Sequence, residues 1–189
     1  GKRVRLLDVG CADGGFLRLV AERLPDILEA DGVDAPTKWL RPDALKDVGR
    51  LYVQYLQEGT GDIPLGAYNI ITLWEVIEHV ENPSGLLLEI KRILKNDGII
   101  VLNTPNIGSA FAKIMGKRWW NLMGMHIYYF DKKTIIKILE KNGYKIIKIK
   151  SYSRIIIPRY SVEWIKNYKI IYSFLKFIFD KTFLGNIKI

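Results

Sequence analysis

A turn of small residues directly follows the first apolar segment of the chain. It reads Asp-Val-Gly-Cys-Ala-Asp-Gly-Gly, and small residues let a backbone turn sharply and approach a ligand before a helix begins. The spacing fits the dinucleotide pattern G-x-G-x-x-G with Gly10, Ala12 and Gly15. It also fits an acidic residue followed by G-x-G-x-G, here Asp8 followed by Gly10, Ala12 and Gly14. Each pattern has alanine in its middle position, so the turn alone leaves both open.

A second carboxylate follows the next segment of strand length. Asp34 ends the sequence Gly-Val-Asp, twenty residues beyond Gly14. A carboxylate at this place can accept hydrogen bonds from both hydroxyls of a ribose. Together with the glycine turn, Asp34 predicts a nucleotide-like ligand.

Two histidines are the only side chains of the sequence that titrate near neutral pH without a shift in pKa. His79 lies in the sequence Trp-Glu-Val-Ile-Glu-His-Val-Glu-Asn-Pro, where it either acts as a general base or caps and packs the following helix. His126 either packs or contacts a substrate. We expect no metal site, because the two histidines are far apart in the sequence and Cys11 is the single cysteine.

The order of apolar and amphipathic segments predicts the fold. Segments of strand length alternate with segments of helix length, which is typical of a parallel sheet with helices on both faces. The strand-like segments are residues 4–9, 30–33, 51–56, 68–73, 99–102 and 144–149, and the helix-like segments are 16–24, 39–48, 86–94 and 134–139. We therefore predict a doubly wound α/β fold, in which ligands bind beyond the carboxyl ends of the strands.

Length and composition favour one globular domain over residues 1–189, with 49% hydrophobic residues and no repeat. The chain begins at Gly1 without the layout of a signal peptide, and we expect it to be a fragment that lacks a native N-terminal segment. Because Cys11 permits no internal disulfide and no apolar run reaches roughly 18 residues, the chain is predicted to be cytoplasmic.

Charge is distributed unevenly, with a net charge of −4 over residues 1–109 and +13 over residues 110–189. In the basic part, residues 111–130 contain Trp119 and Trp120 among further aromatic, methionine and basic residues, which predicts a substrate-side insertion or lid. Residues 164–179 have the pattern of a basic amphipathic helix, within 161–184 and before a truncated last strand. This helix either packs on the domain or contacts a membrane or a protein.

These motifs, taken in order, resemble the class I S-adenosylmethionine-dependent methyltransferases. The resemblance rests on Asp8 with its glycine turn, on Asp34, on the segment around His79, and on the sequence Thr-Pro-Asn that begins at Thr104. It is closest to the branch that contains the ubiquinone-biosynthesis O-methyltransferases, and it covers residues 3 to about 150. The resemblance implies a Rossmann-like fold and S-adenosyl-L-methionine as the cofactor.

The resemblance also implies a role for each matching residue. The resemblance assigns the cofactor's methionine end to Asp8, Gly10, Ala12 and Gly14. It assigns the ribose to Asp34, and the adenine side to Glu58, with Asp62 as a rival. It assigns the sulfonium to Trp74 and Glu75. His79 is then the general base beside the acceptor, with Trp119, Trp120 and His126 on the substrate side. The acceptor is expected to be a small molecule methylated at a hydroxyl oxygen.

Two alternatives stay open at this point. A nicotinamide dinucleotide on the same turn would make the chain an oxidoreductase, and a relative without catalysis would use the fold to bind or to scaffold. The basic second half favours an acceptor that is anionic or lipid-linked. A nucleic-acid partner is not expected, because no readout module accompanies the basic residues.

Overall fold

A computed structural model describes residues 4–24, 27–38, 40–41, 43–59 and 61–151, without the side chains of Ile27, Leu28 and Glu58. The chain divides into two compact units, Gly1–Ile147 and Lys148–Ile189, and every element named below lies in the first. The predicted helix 164–179 and the last strand lie outside the described residues. The prediction of one domain over the whole chain therefore stays a prediction.

Five parallel strands form one sheet in the order β3-β2-β1-β4-β5. The strands are β1 Val4–Val9, β2 Ile27–Asp34, β3 Leu51–Val53, β4 Tyr68–Trp74 and β5 Leu94–Asn103. The helices are α1 Gly15–Arg23, α2 Pro83–Ile93, α3 Ala110–Met115 and α4 Lys132–Lys141. The order reverses between β1 and β4, which is where ligands bind in open parallel sheets.

Helices α1 and α2 cover opposite faces of the sheet. Because side chains alternate along a strand, Leu6 of β1 packs with Leu17 of α1, whereas Leu7 belongs to the cluster that contains Leu86 and Ile90 of α2. Helix α4 packs through a third cluster beside α2 and β5. The predicted doubly wound sheet is confirmed.

Helix α2 illustrates how the sequence sets an element's bounds. The Asn82 side chain accepts a hydrogen bond from the backbone N–H of Gly85 at 2.9 Å, and Pro83 occupies the first helical position, where an N–H is not needed. Leu86, Leu87 and Ile90 then supply a fully buried face. The loop that carries His79 therefore ends at Asn82, directly before α2 begins.

Three predicted elements are missing or shorter in the structure. Described residues of the segment 39–48 form successive turns, with bonds such as Val48 N–H to Leu45 at 2.9 Å, and no regular helix. Strand β3 ends at Val53 and a 3-10 turn follows at Leu56–Glu58. The segment 144–149 is not a strand, because no described strand pairs with it and the Ile147 side chain is 81% exposed. Strand β5, in contrast, begins earlier than predicted.

Candidate functional site

The glycine turn after β1 has a left-handed backbone at every second residue. Gly10, Ala12 and Gly14 have φ values of +75°, +48° and +76°. Glycine adopts this conformation without steric cost, whereas a residue with a Cβ atom does not. Ala12 therefore occupies a position where glycine is the favoured residue, and the turn holds it there despite about 1–2 kcal/mol of strain.

Asp34 holds the centre of this turn. Its Oδ2 atom accepts a hydrogen bond from the backbone N–H of Ala12 at 2.7 Å, and its Oδ1 atom accepts one from the N–H of Ala35 at 2.7 Å. Each carboxylate oxygen has a second lone pair, so Asp34 retains acceptor capacity toward a ligand. The structure thus brings Asp34 and the glycine turn together, as the sequence predicts.

Asp8 lies below the turn, where its side chain is 2% exposed. The Thr72 hydroxyl of the neighbouring strand β4 donates a hydrogen bond to Asp8 Oδ1 at 2.5 Å. Burial raises the pKa of Asp8 to about 7, while the bond from Thr72 lowers it and the Asp34 charge raises it. A cationic ligand beside this carboxyl group would favour its charged form and lower its pKa.

Gly10 is required for packing within the protein, independently of any role in binding a ligand. A Cβ atom at this position would lie 2.5 Å from Cγ2 of Val76, which follows β4. A Gly10→Val variant would therefore disturb the fold before any ligand binds, and loss of binding in that variant would not locate the cofactor.

The end of β4 lies beside the glycine turn and carries a second strained residue. Glu75 has a φ of +56°, and its N–H donates to the carbonyl of Asn103 at 2.9 Å. The exposed ring of Trp74 meets that of Phe16 edge to face, with centroids 5.2 Å apart. Strain in two neighbouring loops, at Ala12 and at Glu75, is typical of ligand sites, where the surrounding structure maintains it.

The adenine-side candidates follow β3. Glu58 ends the 3-10 turn, and its side chain lies outside the described set; Asp62 is exposed. Gln54 and Gly59 help to line an open depression here, and the Gln54 amide donates to the Gly59 carbonyl at 3.1 Å. The choice between Glu58 and Asp62 stays open.

His79 lies in the loop between β4 and α2, and it is oriented by a backbone carbonyl rather than by Glu78 or Glu81. Its Nδ1 atom lies 2.8 Å from the carbonyl oxygen of Met125. A carbonyl only accepts, so Nδ1 carries the proton and Nε2 of the neutral ring carries the lone pair. Asn82, not His79, caps the following helix. His79 thus has the tautomer that a general base needs.

His126 contacts His79, although 47 residues separate them in the sequence. The ring centroids are 4.6 Å apart, and Nδ1 of His126 is buried without a hydrogen-bond partner. The carboxylate of Glu78, 1% exposed, accepts a bond from the Thr104 hydroxyl at 3.0 Å, while its Oε1 atom has no partner. Burial raises the pKa of Glu78.

The side chains of Glu78, His79 and His126 each bring one donor atom to within 4.8 Å of the others. One carboxylate and two imidazoles are a donor set that divalent transition metals accept. The separation of the two histidines in the sequence is therefore not an argument against a metal site, and that part of the prediction is wrong. Folding of two loops onto each other, which no spacing in the sequence indicates, brings them together.

The substrate-side tryptophans differ in their surroundings. Trp119 is 5% exposed and packs inside the domain, whereas Trp120 is 45% exposed and lies against Phe111 with ring centroids 4.8 Å apart. The carbonyl of Glu78 accepts hydrogen bonds from the N–H groups of Ile127 and Tyr128 at 2.8 and 3.1 Å. The segment with these aromatic residues is thus fastened to the loop that carries His79.

Comparisons with known proteins agree with this arrangement. A model of the methyltransferase domain family matches residues 1–149. The ubiquinone biosynthesis O-methyltransferase of Pectobacterium atrosepticum is 32% identical over 107 residues, which cover 56% of this chain and 44% of the relative. That of Shewanella halifaxensis is 32% identical over 123 residues, 63% of this chain and 51% of the relative. The chain spans about half the length of the curated relatives it matches.

Solved structures share the fold at low sequence identity. A SAM-dependent methyltransferase from Archaeoglobus fulgidus has a TM-score of 0.62 at 20% identity, covering 88% of this chain and 77% of its own. Phosphoethanolamine N-methyltransferase 2 of Haemonchus contortus, in complex with S-adenosyl-L-methionine, has a TM-score of 0.59 at 20% identity. The match covers 97% of this chain and 42% of the Haemonchus chain. The chain belongs to the methyltransferase domain family and has the Rossmann-like fold of the class I S-adenosylmethionine-dependent methyltransferases.

Proposed function

We propose that this chain binds S-adenosylmethionine at the glycine turn and transfers its methyl group to a hydroxyl oxygen of a small molecule. The single observation that carries the proposal is the position of His79, whose Nδ1 atom faces the Met125 carbonyl at 2.8 Å. This contact leaves Nε2 as the basic nitrogen. The names of the curated relatives, which are O-methyltransferases, support a hydroxyl acceptor.

In this proposal the turn of Gly10, Ala12 and Gly14 receives the methionine end of the cofactor, with Asp8 beneath it. Asp34 accepts hydrogen bonds from the ribose hydroxyls while it continues to hold the Ala12 N–H. Trp74 and Glu75 flank the sulfonium. The adenine lies toward Glu58 or Asp62.

The chemistry follows from these positions. When bound, the cofactor supplies a methyl group already activated by the positive sulfur. The acceptor oxygen attacks the methyl carbon, the carbon–sulfur bond breaks, and its electron pair stays on sulfur. His79 Nε2 takes the hydroxyl proton. The remaining residues orient the two reactants, a contribution of about 7–11 kcal/mol in favourable cases.

Calorimetric titration tests the cofactor assignment. The chain is expected to bind S-adenosylhomocysteine saturably and to show no binding of NAD. Binding of NAD without S-adenosylhomocysteine would instead support the oxidoreductase. Binding of S-adenosylhomocysteine without turnover on any hydroxyl, amine or thiol in a broad acceptor screen would favour a non-catalytic relative.

A cation-assisted reaction is the second candidate, and the unpartnered atoms of Glu78 and His126 favour it. A divalent cation held by these two residues and His79 would lower the pKa of the acceptor hydroxyl in place of a protein base. Titration with Zn²⁺ or Mn²⁺ decides between the two. Stoichiometric metal binding that His126→Phe abolishes, together with loss of turnover when a chelator is added, would indicate that a cation and not a general base activates the acceptor.

The acceptor's further properties also stay proposals. The basic residues Lys113, Lys117 and Arg118 are exposed within the predicted substrate-side insertion 111–130, which supports an acceptor that is anionic or lipid-linked. No helix among the described residues is long and apolar enough to cross a membrane. We retain peripheral contact through 164–179 as a proposal from the sequence pattern.

A further inference from the structure

Residues 107–129, which we call the aromatic segment, expose an unusual share of the apolar surface. In the described part of the chain 21 large apolar side chains are exposed, and ten of them lie in these 23 residues. Ile114 is 82% exposed, Met125 65% and Trp120 45%. Single exposed apolar residues are normal on a protein surface, but a concentration of this kind marks an interaction site.

The exposed side chains project from a segment that is itself well anchored. Trp119 is buried, and so is Phe130 directly after the segment. The N–H groups of Ile127 and Tyr128 bond to the Glu78 carbonyl, and the Tyr128 hydroxyl donates to the Glu81 carbonyl at 3.0 Å. The apolar surface is thus presented by a fixed backbone.

The charge of the segment is of one sign. It contains Lys113, Lys117 and Arg118 and no aspartate or glutamate. All three cations are exposed, and within the described residues none of them forms an ion pair with a carboxylate. Cations interleaved with tryptophan, tyrosine and other apolar side chains match the boundary of an anionic lipid bilayer, where headgroups meet acyl chains.

We propose that the aromatic segment docks on the surface of an anionic lipid bilayer. Ile114 and Trp120 enter the boundary between headgroups and acyl chains, while the three cations meet the lipid phosphates. Since Met125 and His126 of the same segment contact His79, docking places the entrance to the acceptor site at the bilayer. Bilayer docking of the aromatic segment concerns a different part of the sequence from 164–179 and does not depend on methyl transfer.

Vesicle sedimentation with the full chain tests the proposal. The chain is expected to bind vesicles of phosphatidylcholine with about one third phosphatidylglycerol, and to bind pure phosphatidylcholine at least tenfold more weakly. Binding is expected to weaken as salt is raised, because the cations are exposed and salt screens them.

Variants of the segment identify the docking surface. Each of Lys113→Gln, Lys117→Gln and Arg118→Gln is expected to lower the partition coefficient about fivefold, since one exposed cation contributes about 1 kcal/mol near an anionic surface. Ile114→Ser with Trp120→Ser is expected to lower it at least tenfold. Leu19→Ser with Leu88→Ser is the matched control, because these side chains are about half exposed on α1 and α2.

Three results would overturn the proposal. They are no binding to anionic vesicles by the unaltered chain, equal loss of binding in the control variant, and loss of binding only when Lys166, Lys169 and Lys176 of the other basic segment are changed to Gln. Titration of every variant with S-adenosylhomocysteine distinguishes failure of the docking proposal from failure of the proposed function. Cofactor binding is expected to stay unchanged in all of these variants.

Discussion

His79 Nδ1 lies 2.8 Å from the carbonyl oxygen of Met125, so a residue of the loop after β4 is held in one tautomer by a residue of the segment after β5. The same contact brings His126 onto His79. His79 and its immediate surroundings therefore come from two loops that follow the neighbouring parallel strands β4 and β5.

His79→Ala is expected to lower turnover by roughly 100-fold to 10,000-fold, the usual span for general base catalysis. Affinity for S-adenosylhomocysteine is expected to stay within error of the unaltered chain, since the proposal places His79 beside the acceptor and not beside the cofactor. Steady-state rates and calorimetry on one preparation measure both quantities.

Asn82→Ala provides the comparison for a structural role at this loop. Removal of the cap of α2 is expected to cost about 1 kcal/mol of stability and to leave turnover at low temperature nearly intact. If His79→Ala behaves in the same way, losing stability but keeping full turnover, His79 is not the base.

Asp34→Ala is expected to weaken S-adenosylhomocysteine binding by about 1.5–3 kcal/mol, the range for hydrogen bonds to a charged group. Part of this loss arises from the turn, because the Ala12 N–H loses its acceptor. Glu140→Ala, an exposed carboxylate on α4, is the control. Unchanged affinity in a folded Asp34 variant would remove this residue from the site.

Ala12→Gly is expected to stabilise the fold by about 0.5–1 kcal/mol. Glycine relieves the left-handed strain, and this gain exceeds the cost of the extra conformational entropy that glycine gives the unfolded chain. Gly14→Ala, its counterpart two residues on, is expected to destabilise, because a Cβ atom there would collide with Leu45. Chemical unfolding measures both. Destabilisation by Ala12→Gly would contradict the strain inferred at this turn.

The buried carboxyl of Asp8 makes stability depend on pH. Its pKa is about 7 in the folded chain against 3.8 for an exposed aspartate, so the folded state retains a proton that the unfolded state has lost. The free energy of unfolding is therefore expected to fall as pH rises through this window, by up to about 4 kcal/mol. Asp8→Asn, which keeps the acceptor for Thr72, is expected to reduce that slope. Urea unfolding at about pH 5 and about pH 8 measures the effect, and an equal slope in both proteins would refute it.

The sheet and the contact of Asp34 with the glycine turn could be predicted from the sequence because their signals are local. Segments with apolar residues on both sides of the pleat, such as Ile70, Ile71 and Leu73, indicate a strand of a parallel sheet. Asp8, the glycine turn and Asp34 lie at or directly after the ends of their strands. The segment 39–48 has an amphipathic pattern, yet it forms turns in which Leu45 alone of its described residues is fully buried. Tertiary packing outweighs helical periodicity there.

The surroundings of His79 could not be predicted to the same degree. The contact of His79 with Met125, and the gathering of Glu78, His79 and His126, depend on how two irregular loops fold over the sheet. Irregular loops have no period in the sequence. Burial of Glu78 next to a partly buried histidine likewise follows from tertiary structure alone.

A crystal structure of the chain with S-adenosylhomocysteine would show directly whether the glycine turn and His79 belong to one methyl-transfer site. We expect the ribose hydroxyls within hydrogen-bond distance of Asp34 and the sulfur facing the space in front of His79 Nε2. A ligand bound away from the glycine turn, or a sulfur that faces away from His79, would contradict the account.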